Sequence, residues 1–115
     1  MFSKKNIQDI PVEGTSHSSG SRKMIVAKED TTSKYFEAHT YGFLPSGLKW
    51  EMHEHDNIVE ICVVTKGKGI VIDSEGNEEK FVTGDRFIFP SNTKHEIRNN
   101  SDEEAEFYFF RFQDQ

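Results

Sequence analysis

The chain is poor in the features that mark secreted and membrane proteins. It has one cysteine, Cys62, so no disulfide can form within it, and a lone thiol favours a reducing compartment. Residues 1–14 are polar and lack the apolar core of a signal peptide, and no apolar run approaches the length of a membrane span. We therefore expect a soluble cytoplasmic protein that does not bind membranes.

Basic residues are also scarce. The chain has 14 Lys and Arg against 20 Asp and Glu, which gives a formal net charge of −6, and no stretch is densely basic. Affinity for a phosphate backbone needs a basic face, so this charge balance argues against a general nucleic-acid-binding protein.

No long segment has the apolar period of a helix, so we expect little helix. Short apolar or alternating runs separated by turn residues instead predict an all-β sandwich or barrel. At 115 residues the chain is expected to form one domain, with residues 1–21 as a partly ordered arm that pairs at one edge through Ile7–Val12, and residues 22–115 as the β domain. The predicted strands are Lys23–Ala27, Tyr35–Leu44, Leu48–His55, Ile58–Thr65, Gly69–Asp73, Lys80–Val82, Arg86–Phe89, His95–Arg98 and Ala105–Phe112.

The most apolar of these runs, Ile58–Thr65, predicts a strand that is covered on both faces. If Glu60 points into the domain, Cys62 and Val64 do so too, and the intervening valines and isoleucine point out. So small a barrel cannot cover its own outside, and we therefore expect a homodimer. The alternative is that the N-terminal arm folds across the outer face.

Three histidines and one glutamate have a spacing that suits a metal site. His53 and His55 alternate on one strand and so share a face, Glu60 follows after a turn, and His95 begins a later strand. Three imidazoles and a carboxylate suit Fe, Mn, Zn, Ni, Cu or Co better than Ca or Mg, and leave open positions on a six-coordinate ion. Each feature is common alone; their combination with glycines at the expected turns favours one divalent transition metal ion.

These residues resemble the two sequence motifs of the cupin family. The spacing G-x5-H-x-H-x4-E-x6-G is similar to the first motif, and G-x5-P-x-G-x2-H-x3-N to the second. Asn92 replaces the usual glycine of the second motif, and asparagine is the non-glycine residue best able to adopt a positive φ. The matching positions are Gly47, His53, His55, Glu60 and Gly67, then Gly84, Pro90, Asn92, His95 and Asn99.

The resemblance implies a double-stranded β-helix, or jelly-roll, barrel with His53, His55, Glu60 and His95 as metal ligands. It does not define a reaction, because the family includes oxygenases, decarboxylases, isomerases, lyases, storage proteins and sugar-sensing domains. We expect a metal-dependent enzyme of the oxygenase, isomerase or lyase type that acts on a small oxygenated metabolite. The alternative is a non-catalytic module that binds a sugar or a carboxylate.

Four further residues are candidates for contact with a substrate. His39 and Tyr41 share one face of the strand Tyr35–Leu44, although the opposite face is equally eligible to line the barrel. Glu51 would point inward with His53 on an unbroken strand, or lie exposed at the barrel mouth. Tyr108 could face the pocket, but its neighbours of opposite parity are equally eligible. His17 lies in the arm and is not expected to take part.

Overall fold

Ten β-strands form almost all of the regular structure. The computed structural model describes residues 2–115, and their only helices are two short 3-10 turns, Ile7–Asp9 and Lys28–Asp30. None of the described helices is long and apolar enough to cross a membrane. The strands are β1 (Glu13–Gly14), β2 (Ser21–Val26), β3 (Phe36–Leu44), β4 (Lys49–His53), β5 (Ile58–Lys66), β6 (Lys68–Asp73), β7 (Glu78–Val82), β8 (Arg86–Phe89), β9 (His95–Arg98) and β10 (Ala105–Gln113).

The strands form two antiparallel sheets in a jelly-roll arrangement, as the sequence predicted. One sheet has the order β1-β2-β3-β10-β5-β8, and the other has the order β4-β9-β6-β7. Non-consecutive strands are therefore neighbours, and β4 and β5, adjacent in sequence, lie in different sheets. This crossing brings residues that are far apart in the chain to one end of the fold.

Alternation along the strands builds the core between the two sheets. On β5 the buried residues are Glu60, Cys62 and Val64, as predicted, while Val59, Ile61 and Val63 are only partly buried. The four-stranded sheet contributes Trp50 and Phe81 to the same core, and β10 contributes Phe107. Burying each large apolar side chain contributes roughly 1.5–3 kcal/mol to stability.

A bulge in β4 changes which residues face the core. Trp50 pairs with Ile97 and His53 pairs with His95, so three residues of β4 span the distance covered by two of β9. Both Trp50 and His53 then face inward, although they have opposite parity in the sequence. The strand also ends at His53, two residues earlier than predicted.

The N-terminal arm packs on the domain, but not where the sequence suggested. Ile7–Asp9 is a 3-10 turn rather than a strand, and the edge pairing is made by β1, in which Glu13 pairs with Arg22 of β2. Ile10 is buried. Pro11 explains the shift, because it has no backbone N–H to donate to a strand partner.

Candidate metal centre

The pairing of β4 with β9 places two imidazoles opposite each other. His53 and His95 are partners in this antiparallel pair, and their ring centroids are 4.4 Å apart. The turn before β9 contains Asn92, whose φ of 59° is the positive value predicted for this position. The backbone N–H of Asn92 donates to the carbonyl oxygen of His55 at 3.2 Å, which ties the two motifs together.

Glu60 completes a compact group of potential ligands. His53, Glu60 and His95 each offer one ligand atom, and these atoms all lie within 4.8 Å of one another. His55 lies just past the end of β4, outside that mutually close group, but its Nε2 is 3.5 Å from Oε2 of Glu60. The structure thus brings together all four residues that the sequence proposed as ligands, with His55 the most peripheral.

Backbone and aromatic contacts hold two of the rings. Nδ1 of His53 donates to the carbonyl oxygen of Glu51 at 2.7 Å, which fixes the tautomer because a carbonyl can only accept. That leaves Nε2 of His53 as the nitrogen able to bind a metal. The His95 ring stacks on Phe89, with centroids 3.7 Å apart and an interplanar angle of 2°.

Two imidazole nitrogens at the centre of the group have no hydrogen-bond partner among residues 2–115. They are Nε2 of His55 and Nε2 of His95, and both are buried. Nε2 of His95 lies 3.3 Å from Oε1 of Glu60 without the alignment of a hydrogen bond. A buried polar atom without a partner is costly, so the donor set fits a group that these nitrogens and the carboxylate would bind together.

The electrostatics of the site keep its donors ready to bind a cation. Burial would raise the pKa of Glu60, but the adjacent imidazoles of His55 and His95 and the charge of Arg111 outweigh it and hold the pKa well below its usual range. Burial lowers the pKa of His53 to about 4, so this ring is neutral at pH 7. Burial, with the charge of Glu60, raises the pKa of Cys62 well above its usual range, so this thiol is an inert core group.

Arg111 is a functional candidate that the sequence reasoning missed. It is the direct partner of Glu60 across β10 and β5, and its Nε donates to Oε2 of Glu60 at 2.6 Å. Its Nη1 donates to the hydroxyl of Thr40 at 3.4 Å. The available signal was that Arg111 is the only charged residue within the aromatic run 107–112.

A cavity of about 560 Å³ opens next to the candidate ligands. Residues from β3 and β10 form one wall, and part of the N-terminal arm forms another. The lining includes His53, His55, Glu60, Thr40, Arg111 and His17.

Three of the four substrate-contact candidates lie outside the cavity. In β3 the buried residues are those of even number, Ala38 to Leu44, so His39 and Tyr41 lie on the outer face of the six-stranded sheet. Tyr108 lies on the same outer face, with its ring centroid 4.8 Å from that of Tyr41 and 5.3 Å from that of His39. The hydroxyl of Tyr41 donates to Glu106 there. Strand alternation therefore excludes all three from the cavity.

Glu51 does not point inward as an unbroken strand would require, because the β4 bulge shifts its direction. Its side chain is 46% exposed and lies at the cavity rim, where it contacts His17 and Ser18. His17, which was not expected to take part, lines the cavity and lies against His53 with ring centroids 4.5 Å apart.

A family model described as the cupin domain matches residues 40–111, well over half of the chain. The protein belongs to the cupin family. The match includes both motifs and ends at Arg111, so the resemblance inferred from the two motifs is confirmed. No curated protein matches the chain.

Solved structures of several other proteins share the fold at low sequence identity. A predicted oxalate decarboxylase from Thermotoga maritima is 21% identical, with a TM-score of 0.83 over 94% of this chain and 96% of that one. A sugar phosphate isomerase from Silicibacter pomeroyi is 20% identical, with a TM-score of 0.78 over 96% and 76% of the two chains. An ectoine synthase from P. lautus is 16% identical, with a TM-score of 0.81 over 97% and 78%. At these identities the likeness shows the fold, and the activities for which these three proteins are named differ too widely to indicate one reaction.

Proposed function

We propose that this cupin is a metal-dependent enzyme of the oxygenase, isomerase or lyase type that acts on a small oxygenated metabolite. The observation that carries the proposal is the pair of buried imidazole nitrogens without partners, which face a buried carboxylate at the wall of a cavity. Neither a packed core nor a surface ion pair requires such an arrangement, whereas a metal ion would satisfy all of these atoms at once.

In this proposal His53, His55, Glu60 and His95 hold one divalent transition metal ion. Iron, manganese, zinc, nickel, copper and cobalt all suit the donor set. When bound, the ion would supply Lewis acidity, or redox chemistry if it is iron or manganese, at its open coordination positions.

The protein's own residues would prepare this site in two ways. The Arg111 guanidinium, paired with Glu60 at 2.6 Å, keeps the carboxylate ionised and fixes its direction. The cavity beside the imidazoles is large enough for a small metabolite, and Thr40 and Arg111 give its wall hydrogen-bonding groups that suit oxygen atoms.

Oxygen uptake and product formation test the catalytic part of the proposal. Protein prepared without an affinity tag is dialysed, analysed for bound metals, and then incubated with a panel of enols, diketones and phenols. Turnover of at least one compound is expected, with loss of turnover on chelation. A metal-loaded protein that alters none of them, yet is stabilised against heat by one, would favour a binding module instead.

We also propose a cytoplasmic homodimer. The outer face of the six-stranded sheet carries Ile61 and Ile88 as direct cross-strand partners, and Ile88 is 52% exposed in the single chain. A second copy of the chain would cover these side chains. The lone buried thiol, Cys62, fits a reducing compartment.

A further inference from the structure

The arm segment Thr15–Gly20 is fastened to β4 at the edge of the cavity. The indole N–H of Trp50 donates to the carbonyl oxygen of Ser19 at 3.0 Å. Gly20 has a φ of 79°, and a Cβ there would lie 2.7 Å from the Trp50 indole nitrogen. Only glycine allows so close an approach in this conformation, so the segment is seated tightly on the β4 strand.

Within this segment, the ring of His17 is held by Glu51. Nδ1 of His17 lies 3.2 Å from Oε2 of Glu51, while the hydroxyl of Ser18 donates to the other carboxylate oxygen at 2.9 Å. The backbone N–H of His17 donates to the hydroxyl of Thr15 at 3.1 Å. A carboxylate can only accept, so Nδ1 is the donor and the proton of a neutral His17 ring sits there.

The second nitrogen of His17 is left available to a ligand. Nε2 of His17 has no hydrogen-bond partner among the described residues. Unlike Nε2 of His55 and Nε2 of His95, it is not among the buried atoms that lack a partner. The ring nevertheless lines the cavity, edge-on to His53 at 4.5 Å. It does not belong to the group of mutually close ligand atoms formed by His53, Glu60 and His95. His55 also lies outside that group, but its Nε2 is 3.5 Å from Oε2 of Glu60, whereas His17 pairs with Glu51 instead. His17 is therefore placed to touch what occupies the cavity.

We propose that His17 is a ligand-contacting residue of the cavity and that Glu51 positions it. Its Nε2 accepts a hydrogen bond from a hydroxyl of a small oxygenated molecule lying between His17 and Arg111. Arg111 also lines the cavity, and its guanidinium has five N–H donors, of which two are used by Glu60 and Thr40, so it offers further donors to the same molecule. This inference rests on the proposed function, because it requires a small-molecule ligand beside the metal.

Glycolate binding to the cobalt-loaded protein tests this role. Glycolate carries both a hydroxyl and a carboxylate, and the visible absorption of bound Co²⁺ reports its approach without any turnover. His17→Ala should retain cobalt and weaken glycolate binding about five- to tenfold, the effect of one hydrogen bond. His17→Gln should recover most of the affinity, because its amide can still donate and accept.

Two controls separate ligand contact from a merely structural role. His39→Ala removes a histidine from the outer face and should bind glycolate as the unsubstituted protein does. The fluorescence of Trp50, the only tryptophan, reports whether the arm is still seated in His17→Ala. Equal glycolate affinity in His17→Ala and the unsubstituted protein overturns the role of His17 alone. Loss of cobalt from His17→Ala also overturns it, by making His17 a metal ligand. Failure of the cobalt-loaded unsubstituted protein to bind glycolate counts instead against the proposed function, and so removes the basis for this role.

Discussion

At the scale of single residues, the site depends on a few buried charges and rings whose partners are specific. Glu60 is 2% exposed, and its ionised state relies on Arg111 and on the imidazoles around it. A buried charge that loses its partner is costly, whereas an exposed ion pair contributes little. This contrast allows the role of Arg111 to be measured against a surface arginine of the same chain.

Replacing Arg111 with Met should lower the free energy of unfolding by about 2–4 kcal/mol, because it leaves the Glu60 carboxylate buried without its closest cation. Urea denaturation of the metal-free protein measures the change. Arg22→Met is the matched control, since the pair of Arg22 with Glu13 lies at the surface, and its loss should cost less than about 1 kcal/mol. Similar losses in the two variants would show that Arg111 does not support Glu60.

The lowered pKa of His53 predicts a pH dependence of stability. Its pKa falls from 6.5 to about 4 on folding because the ring is buried, so between these values the unfolded chain binds a proton that the folded chain does not. The stability of the metal-free protein should therefore fall as the pH drops from 6.5 towards 4. Thermal unfolding at pH 7, 6 and 5 should show a shallower fall for His53→Gln than for the unsubstituted protein. His39→Gln should keep the full slope, and an equal slope in all three proteins would contradict this assignment.

At the scale of strands and turns, the sequence was most informative where one residue showed which face of a strand points into the core. On β5, placing Glu60 inward predicted that the alternate residues Cys62 and Val64 are also buried, and the structure confirms this. On β3 both parities mix polar and apolar residues, so periodicity could not decide which side faces in. The β4 bulge and the pairing of Glu60 with Arg111 were beyond reach, because register depends on contacts between strands that a single sequence does not record.

The turn before β9 gives a prediction at this scale. Asn92 has a φ of 59°, a conformation that costs other L-residues roughly 1 kcal/mol or more. Asn92→Ala should lower the free energy of unfolding by about 1 kcal/mol, while Asn92→Gly should change it by less than about 0.5 kcal/mol, because glycine adopts this conformation freely. Urea denaturation compares the two, and an alanine variant as stable as the glycine variant would show that the turn does not depend on positive φ.

At the scale of the whole molecule, the six-stranded sheet presents its outer face without cover from the other sheet. Ile61 and Ile88 pair across β5 and β8, and the aromatic rings of Tyr41, Tyr108 and Phe110 extend the face across β10 and β3. The four-stranded sheet also carries an exposed apolar residue, Val82, which gives a control on the other side of the molecule.

Sedimentation and light scattering test the proposed dimer. The unsubstituted protein should have twice the mass of one chain, and Ile88→Lys should be monomeric because a charge would be buried in the interface. Val82→Lys, a similar change at a residue 57% exposed, should remain dimeric. A monomeric unsubstituted protein, or a dimer that Ile88→Lys leaves intact, would contradict this interface.

Elemental analysis of tag-free protein tests most directly whether the imidazoles of His53, His55 and His95 and the Glu60 carboxylate hold a metal ion. The unsubstituted protein and His39→Ala should each hold close to one transition metal ion per chain. His53→Ala and His95→Ala should bind that metal at least about a hundredfold more weakly, since each removes one of the four proposed ligands. No bound metal in the unsubstituted protein after incubation with Fe²⁺, Mn²⁺, Co²⁺, Ni²⁺, Cu²⁺ and Zn²⁺, or equal metal in all four proteins, would contradict the account.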